Sequence, residues 1–222
     1  MTAFDRPDTP ALLLSKPRLD RNLARMKARM DAFGVPLRPH IKTAKSVDVV
    51  GPALEGAAGV TVSTLAEAEY AFANGVADLL YAVGMAPGKI ARAKALREKG
   101  AALIVTVDSL EAARAVAEAG LAAVIEIDSD DHRAGVKPMS ENALAVARAL
   151  GSSFRGLMTH AGGSYDCRTV EAIRAMAERE RRAVVDTAAM LREAGFASAV
   201  VSVGSTPTAL YGESFMGVTE VR

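Results

Sequence analysis

The sequence predicts a parallel α/β barrel of the TIM-like (β/α)8 type, short at its eighth strand. Three observations predict it. From residue 37 onward, short β-branched runs alternate with longer stretches of helical period, separated by only a few residues, which is the rhythm of βα units. The runs AALIVTV and LAAVIEI are apolar almost throughout, as strands buried on both faces must be. A chain of 222 residues that is 50% hydrophobic can also bury one sizeable core.

The elements follow in order. An apolar run at 11–15 comes first and is expected to belong to a separate sheet. Leu19, Leu23, Met26, Met30 and Phe33 then recur at steps of four and three, marking one face of a helix that Gly34 ends. Candidate strands lie at 37–42, 59–63, 78–83, 102–107, 122–128, 154–160 and 199–203. Thr64-x-x-Glu67 and Asp108-x-x-Glu111 stand directly after two of them, spaced to cap the helices that follow. The longest helix is expected over 169–194, with Ile173, Met176, Ala177, Val184, Ala188 and Leu191 on its apolar side and its Arg and Glu clusters on a solvated face. The fragment 218–222 would have to supply the eighth strand.

Charge narrows the function classes. The 27 basic and 26 acidic residues are scattered and leave a net charge of +1, with no basic block to draw nucleic acid or anionic membrane. The opening MTAFDRPDTP is not a signal peptide, and no apolar run is long enough to span a bilayer. A cytoplasmic protein with small-molecule partners is expected. Cys167 is the single cysteine, so no internal disulfide framework or thiolate cluster can form.

In parallel barrels the C-terminal strand ends combine converging side chains with free helix amides, and chemistry gathers there. Here that rim carries His40 and Lys42, Ser63 and Thr64, Asp108, Glu126 and Asp128, His160, and Gly204-Ser205-Thr206. A lysine ending a buried strand is suited to Schiff-base formation, because desolvation favours the free amine; the alternative is a side chain that snorkels to solvent. Gly204, Ser205 and Thr206 offer amides and hydroxyls to a phosphate, or form a plain turn. His160, the following glycines and Tyr165 supply an imidazole and a phenol that can orient an aromatic ring or relay a proton. Arg133 can donate to a phenolate oxygen or pair on the surface. The histidines show no metal-ligand spacing, and no nucleophile elbow is present.

These segments, together with TPALLLSKPRLDRNLARM, LRPHIKTAKS, GVTVSTLAEAEYAFANG, DLLYAVGMAP, IEIDSDDHRAGV, LMTHAGGSYD, VVSVGSTPTAL and GVTEVR, resemble the fold-type III pyridoxal-phosphate (PLP) enzymes. Within them the likeness is to the D-threonine aldolase, D-serine dehydratase and hydroxyaspartate aldolase branch. The resemblance implies an alanine racemase N-terminal-type barrel over 17–222, incomplete at its C-terminal end, with 1–16 pairing to a second domain. It implies PLP on Lys42 as a Schiff base, with His40 beside it. It also implies Arg133 facing the cofactor O3′, Tyr165 at the ring or its nitrogen, and His160 close by. Gly204, Ser205 and Thr206 would hold the phosphate, and Ser63 and Thr64 would lie along the rim.

YAVGMAP, EIDSDDHRAGV and VVSVGSTPTAL are most similar to D-threonine aldolases. The expected activity is therefore cleavage of D-threonine and related D-β-hydroxy amino acids to glycine and an aldehyde. The alternatives are a D-serine dehydratase-like lyase and a non-catalytic PLP-binding barrel. Members of the family continue past GVTEVR into a β-rich domain with a divalent-metal site (Mn, Mg or Zn), and they form homodimers. Residues 1–222 alone are accordingly expected to bind PLP weakly and turn over poorly.

Overall fold

The computed structural model describes residues 8–222; residues 1–7, part of the segment expected to pair with a second domain, lie outside the described residues. The chain runs through α1 (Lys16–Phe33), α2 (Val47–Val50), β1 (Val60–Val62), α3 (Leu65–Ala73), β2 (Asp78–Gly84), α4 (Ile90–Glu98), β3 (Ala102–Val107) and α5 (Leu110–Glu118). It continues through β4 (Ala122–Ile127), α6 (Glu141–Leu150), β5 (Phe154–Thr159), α7 (Val170–Glu193), β6 (Val200–Val203), α8 (Thr206–Tyr211) and β7 (Glu220–Val221). The strands form one parallel sheet in sequential order. This is the predicted α/β barrel of the alanine racemase N-terminal type, short at β7.

The expected strand at 37–42 is not a regular ladder. It makes parallel bridges at Leu37 to Val221 and at His40 to Thr61, because Pro36 and Pro39 have no N–H to donate. The Arg38 N–H donates to Val221 O at 2.7 Å, and the Ile41 N–H to Thr61 O at 3.0 Å. This irregular stave therefore touches both β7 and β1 and draws the sheet towards a ring. At its end the Lys45 N–H returns to Ile41 O at 2.8 Å, so Lys42 sits in a turn.

Two packed layers follow from the alternation of strand side chains. Val62, Leu79, Tyr81, Val105, Ile125, Leu157 and Val203 face the helices in the main core. Leu80, Val124 and Met158, flanked by Ala82, Ile104 and Val200, form a small apolar cluster inside the ring. Below the rim, Arg38 is 5% exposed and bonds Glu220 at 2.8 Å and Asp78 at 2.6 Å. Ser202 donates to the other oxygen of Glu220 at 2.8 Å.

Capping differs from expectation at one of the two junctions. Thr64 Oγ1 accepts from the Glu67 N–H at 3.0 Å, as expected, while Glu67 accepts from the Ser63 N–H at 2.8 Å. At α5 the cap is Ser109, whose Oγ accepts from the Ala112 N–H at 3.2 Å, and not Asp108. Both serine and aspartate cap well, and the helix simply starts one residue later. In α1 Met30 is buried, while Phe33 packs edge-on against Phe215 with centroids 5.0 Å apart. Leu12, Leu13 and Leu14 stand clear of the barrel, 104%, 67% and 54% exposed.

Candidate active site

The C-terminal strand ends converge as the barrel geometry requires. A cleft of about 280 Å³ opens there, lined by His40, Lys42, His160, Tyr165, Gly204, Ser205, Thr206 and Arg222, with Met26, Leu37, Pro39 and Thr43 at its apolar edge. Seven of these are residues expected from the sequence. Ser63 joins through its hydroxyl, 3.1 Å from His40 Nε2.

Hydrogen-bond partners assign the imidazoles. The Lys42 N–H donates to His40 Nδ1 at 3.3 Å, so the ring proton of His40 lies on Nε2 and donates to Ser63. His160 Nδ1–H donates to the Gly204 carbonyl, which leaves Nε2 as a free lone pair. Burial, then the charges of Lys42 and Arg222, pushes His40 down to about 3. Burial, then Arg133 and Arg222, pushes His160 down to about 4, against the Gly204 bond that favours its proton. Both rings are neutral at physiological pH. The rings of His160 and Tyr165 lie 6.1 Å apart and tilted by 31°.

Lys42 is exposed on its turn, so the burial expected to prepare its amine is not provided by the strand. Among the described residues its Nζ forms no hydrogen bond or ion pair, and it stands free in the cleft. Arg133 is also exposed and is carried by the 129–135 loop, which rests on Gly162: a Cβ there would lie 3.0 Å from the Arg133 side chain.

The phosphate-type turn is largely committed to the protein. The Gly204 N–H donates to Glu180 at 3.2 Å and the Ser205 N–H to Thr208 Oγ1 at 3.2 Å. The Ser205 hydroxyl is shared with Ser164 at 2.7 Å. What the turn offers outward is the N–H and hydroxyl of Thr206, the first residue of α8, whose amide has no intrahelical acceptor. Gly204 is needed for approach: at φ 156° a Cβ would lie 2.2 Å from the backbone oxygen of Arg222. The Thr64 hydroxyl is occupied as a helix cap, which makes it a structural neighbour of the cleft.

Sequence reading missed two residues. Arg222 lines the cleft, donating from Nε to Ser202 Oγ at 2.8 Å and from its guanidinium to Thr159 O. Its signal was the period of two that places it on the same face as Glu220. Glu180 was placed on a solvated face, but it lies on the stripe of Ala177, Val184 and Leu191 and is 2% exposed. Among the described residues no group of three or more His, Cys, Asp or Glu could hold a metal, and no helix is long and apolar enough to cross a membrane.

Fold and cleft together define a parallel α/β barrel that presents an amine, neutral imidazoles and hydroxyls at its C-terminal rim. The chain belongs to the family of the alanine racemase N-terminal domain, whose model matches residues 14–222, and thus to the fold-type III PLP enzymes. Within them it falls in the D-threonine aldolase and D-serine dehydratase-like branch. It is 50% identical to D-threo-3-hydroxyaspartate dehydratase of Delftia sp. (strain HT23), over 97% of this chain and 60% of that protein. The solved structure of that dehydratase superposes with a TM-score of 0.93 at 49% identity, over 97% of this chain and 60% of that one. The D-serine dehydratase of Dictyostelium discoideum is 28% identical over 90% of this chain and 56% of that protein. D-threonine aldolase from Filomicrobium marinum superposes with a TM-score of 0.85 at 26% identity, over 97% of this chain and 61% of that one. The chain thus spans about 60% of the length of the dehydratase it matches. Membership implies PLP as cofactor.

Proposed function

We propose that this chain is the PLP-binding barrel of a lyase acting on D-3-hydroxy amino acids, and that the lyase removes the 3-hydroxyl as water. The observation that carries the reading is the convergence of Lys42, the His40–Ser63 pair, His160 and Thr206 on one cleft at the barrel rim. The residues present fit the cofactor. A free amine suits its aldehyde, the outward N–H and hydroxyl of Thr206 suit its phosphate, and the Tyr165 phenol beside the His160 ring suits a flat aromatic group.

When bound, PLP supplies an electron sink at the substrate Cα. Lys42 Nζ is the group that would bond the aldehyde carbon and, once released, carry a proton at Cα. His160, neutral and tied at Nδ1, keeps Nε2 able to accept or return a proton. His40 has both nitrogens occupied, so it moves no proton and instead holds Ser63 and the Lys42 peptide in register. Thr206 holds the phosphate, with Gly204 and Ser205 shaping the turn behind it. Arg133 and Arg222 add positive potential against the cofactor's anionic groups.

Dehydration is favoured over retro-aldol cleavage because identity is 50% to the Delftia dehydratase and 29% to the D-threonine aldolase of an Arthrobacter species. Cleavage of D-threonine to glycine and an aldehyde is the second reading, supported by the YAVGMAP and EIDSDDHRAGV segments. A homodimer, a cytoplasmic location and a divalent metal (Mn, Mg or Zn) held by ligands beyond these residues belong to the proposal. For the metal, support comes from a D-threo-3-hydroxyaspartate dehydratase variant that was solved in a metal-free form. The exposed Leu12, Leu13 and Leu14 support contact between the N-terminal segment and a second domain.

The test is reconstitution with PLP, borohydride reduction and peptide mapping, followed by product analysis on D-threo-3-hydroxyaspartate, D-serine and D-threonine. A pyridoxyl adduct on Lys42, with a 2-oxo acid and ammonia as products, is expected. Glycine and an aldehyde would select the aldolase reading; no adduct on Lys42 would overturn both.

A further inference from the structure

Glu180 stands on α7, outside the ring of strands, yet it is 2% exposed. Its Oε1 accepts from the Ala161 N–H at 2.8 Å and from the Gly204 N–H at 3.2 Å. A carboxyl in an apolar helix–sheet layer is costly unless hydrogen bonds satisfy it. Here they do, and each comes from the active-site rim. Ala161 directly follows His160 at the end of β5, and Gly204 directly follows β6.

The consequence reaches the cleft in two ways. The Gly204 N–H is held by Glu180, while its carbonyl receives the Nδ1–H of His160. Orienting this residue therefore decides which nitrogen of His160 is left free. The same anchor seats the turn that exposes the Thr206 N–H.

We propose that Glu180 is a positioning residue for the candidate active site, joining two strand ends through one oxygen so that His160 keeps its Nε2 lone pair and Thr206 keeps its place at the cleft. The inference rests on the reading of this cleft as the PLP site. What matters is the reach of an acceptor oxygen, not charge, since the bonds are to backbone amides. Burial raises the Glu180 carboxyl above its usual range while these bonds hold it down.

Three substitutions separate reach, charge and volume. Glu180→Gln keeps the reach and loses the charge, Glu180→Asp keeps the charge and loses the reach, and Glu180→Met keeps only the volume. The readouts are PLP affinity and the ¹⁵N signature of His160 in the cofactor-free protein. The Gln variant is expected within about threefold of the parent in PLP affinity, and the Asp and Met variants about tenfold or more weaker. In those two the Nδ1–H signature is lost and the His160 titration falls below about 4, because the Gly204 bond that favours its proton is gone.

An unchanged His160 signature and PLP affinity in the Asp variant, or a Gln variant as impaired as Asp, would overturn the proposal. If the Met variant does not fold, the Gln and Asp pair decides alone. If the parent binds no PLP at Lys42, the functional reading fails, while the His160 signature still tests the role of Glu180.

Discussion

The barrel interior carries polar side chains at two levels, and the two are treated in opposite ways. At the lower level Arg38 lies between Glu220 and Asp78. Burial pulls its guanidinium down, but the two carboxylates outweigh that and raise it overall. Two residues further along the same stave, at the rim, His40 hydrogen-bonds only to neutral groups, and burial, then the charges of Lys42 and Arg222, drives it to about 3. His160 behaves alike, and burial raises the Glu126 carboxyl against the pull of Arg133 and Arg222. Charges that serve architecture come with their partners, whereas polar groups left neutral and reachable are those that a ligand completes.

Four experiments would break or sharpen this contrast. Lys42→Ala should abolish the borohydride-trapped adduct completely while changing unfolding free energy by no more than about 0.5 kcal/mol, because the side chain is exposed. Urea denaturation with mass spectrometry reads both. Arg38→Met should cost about 3–5 kcal/mol in the same denaturation experiment, since it leaves Glu220 buried without its charge partner. His160→Gln should lower turnover about a hundredfold in steady-state kinetics, with the fold retained by far-UV circular dichroism.

The last effect concerns pH. The folded pKa values of His40 and His160, about 3 and about 4, lie below the ordinary value of 6.5, so the unfolded chain takes up protons first as pH falls. Their neutral burial is without penalty above 6.5; stability should then decline through the window down to these values and level off below them. Denaturation of the parent against a His40→Asn/His160→Gln double variant across that window measures it. A variant that loses stability as steeply as the parent would show that carboxylates alone carry the acid sensitivity.

Most of the sheet was legible because parallel strands buried on both faces announce themselves as apolar runs: Ala102–Val107 has the bounds its sequence suggested, and β4 and β5 end one residue early. The stave at 36–41 was harder to read, since its prolines remove ladder donors and leave isolated bridges. Lys42 followed it into a turn. The cleft was legible as a set of strand ends, yet the sequence could not say which amides of Gly204-Ser205-Thr206 were already taken, because their partners Glu180, Thr208 and Ser164 come from other elements or from the following turn. Glu180 had a visible signal in its spacing from Ala177 and Val184 along the apolar stripe of α7. Composition alone hid it among its charged neighbours.

The stave at 36–41 also sets an order of assembly. Arg38 and Glu220 are 182 residues apart, and loop closure over that distance comes late in folding. On a ribosome the stave can meet β1 early, but its other neighbour is the last strand of the ring to be made, so a nascent chain carries two unjoined strand edges until the 220s emerge. The turn bearing Lys42 is therefore framed on both sides only by the final residues of the ring. A chain still in synthesis would hold its amine, its imidazoles and its phosphate turn without yet holding them together.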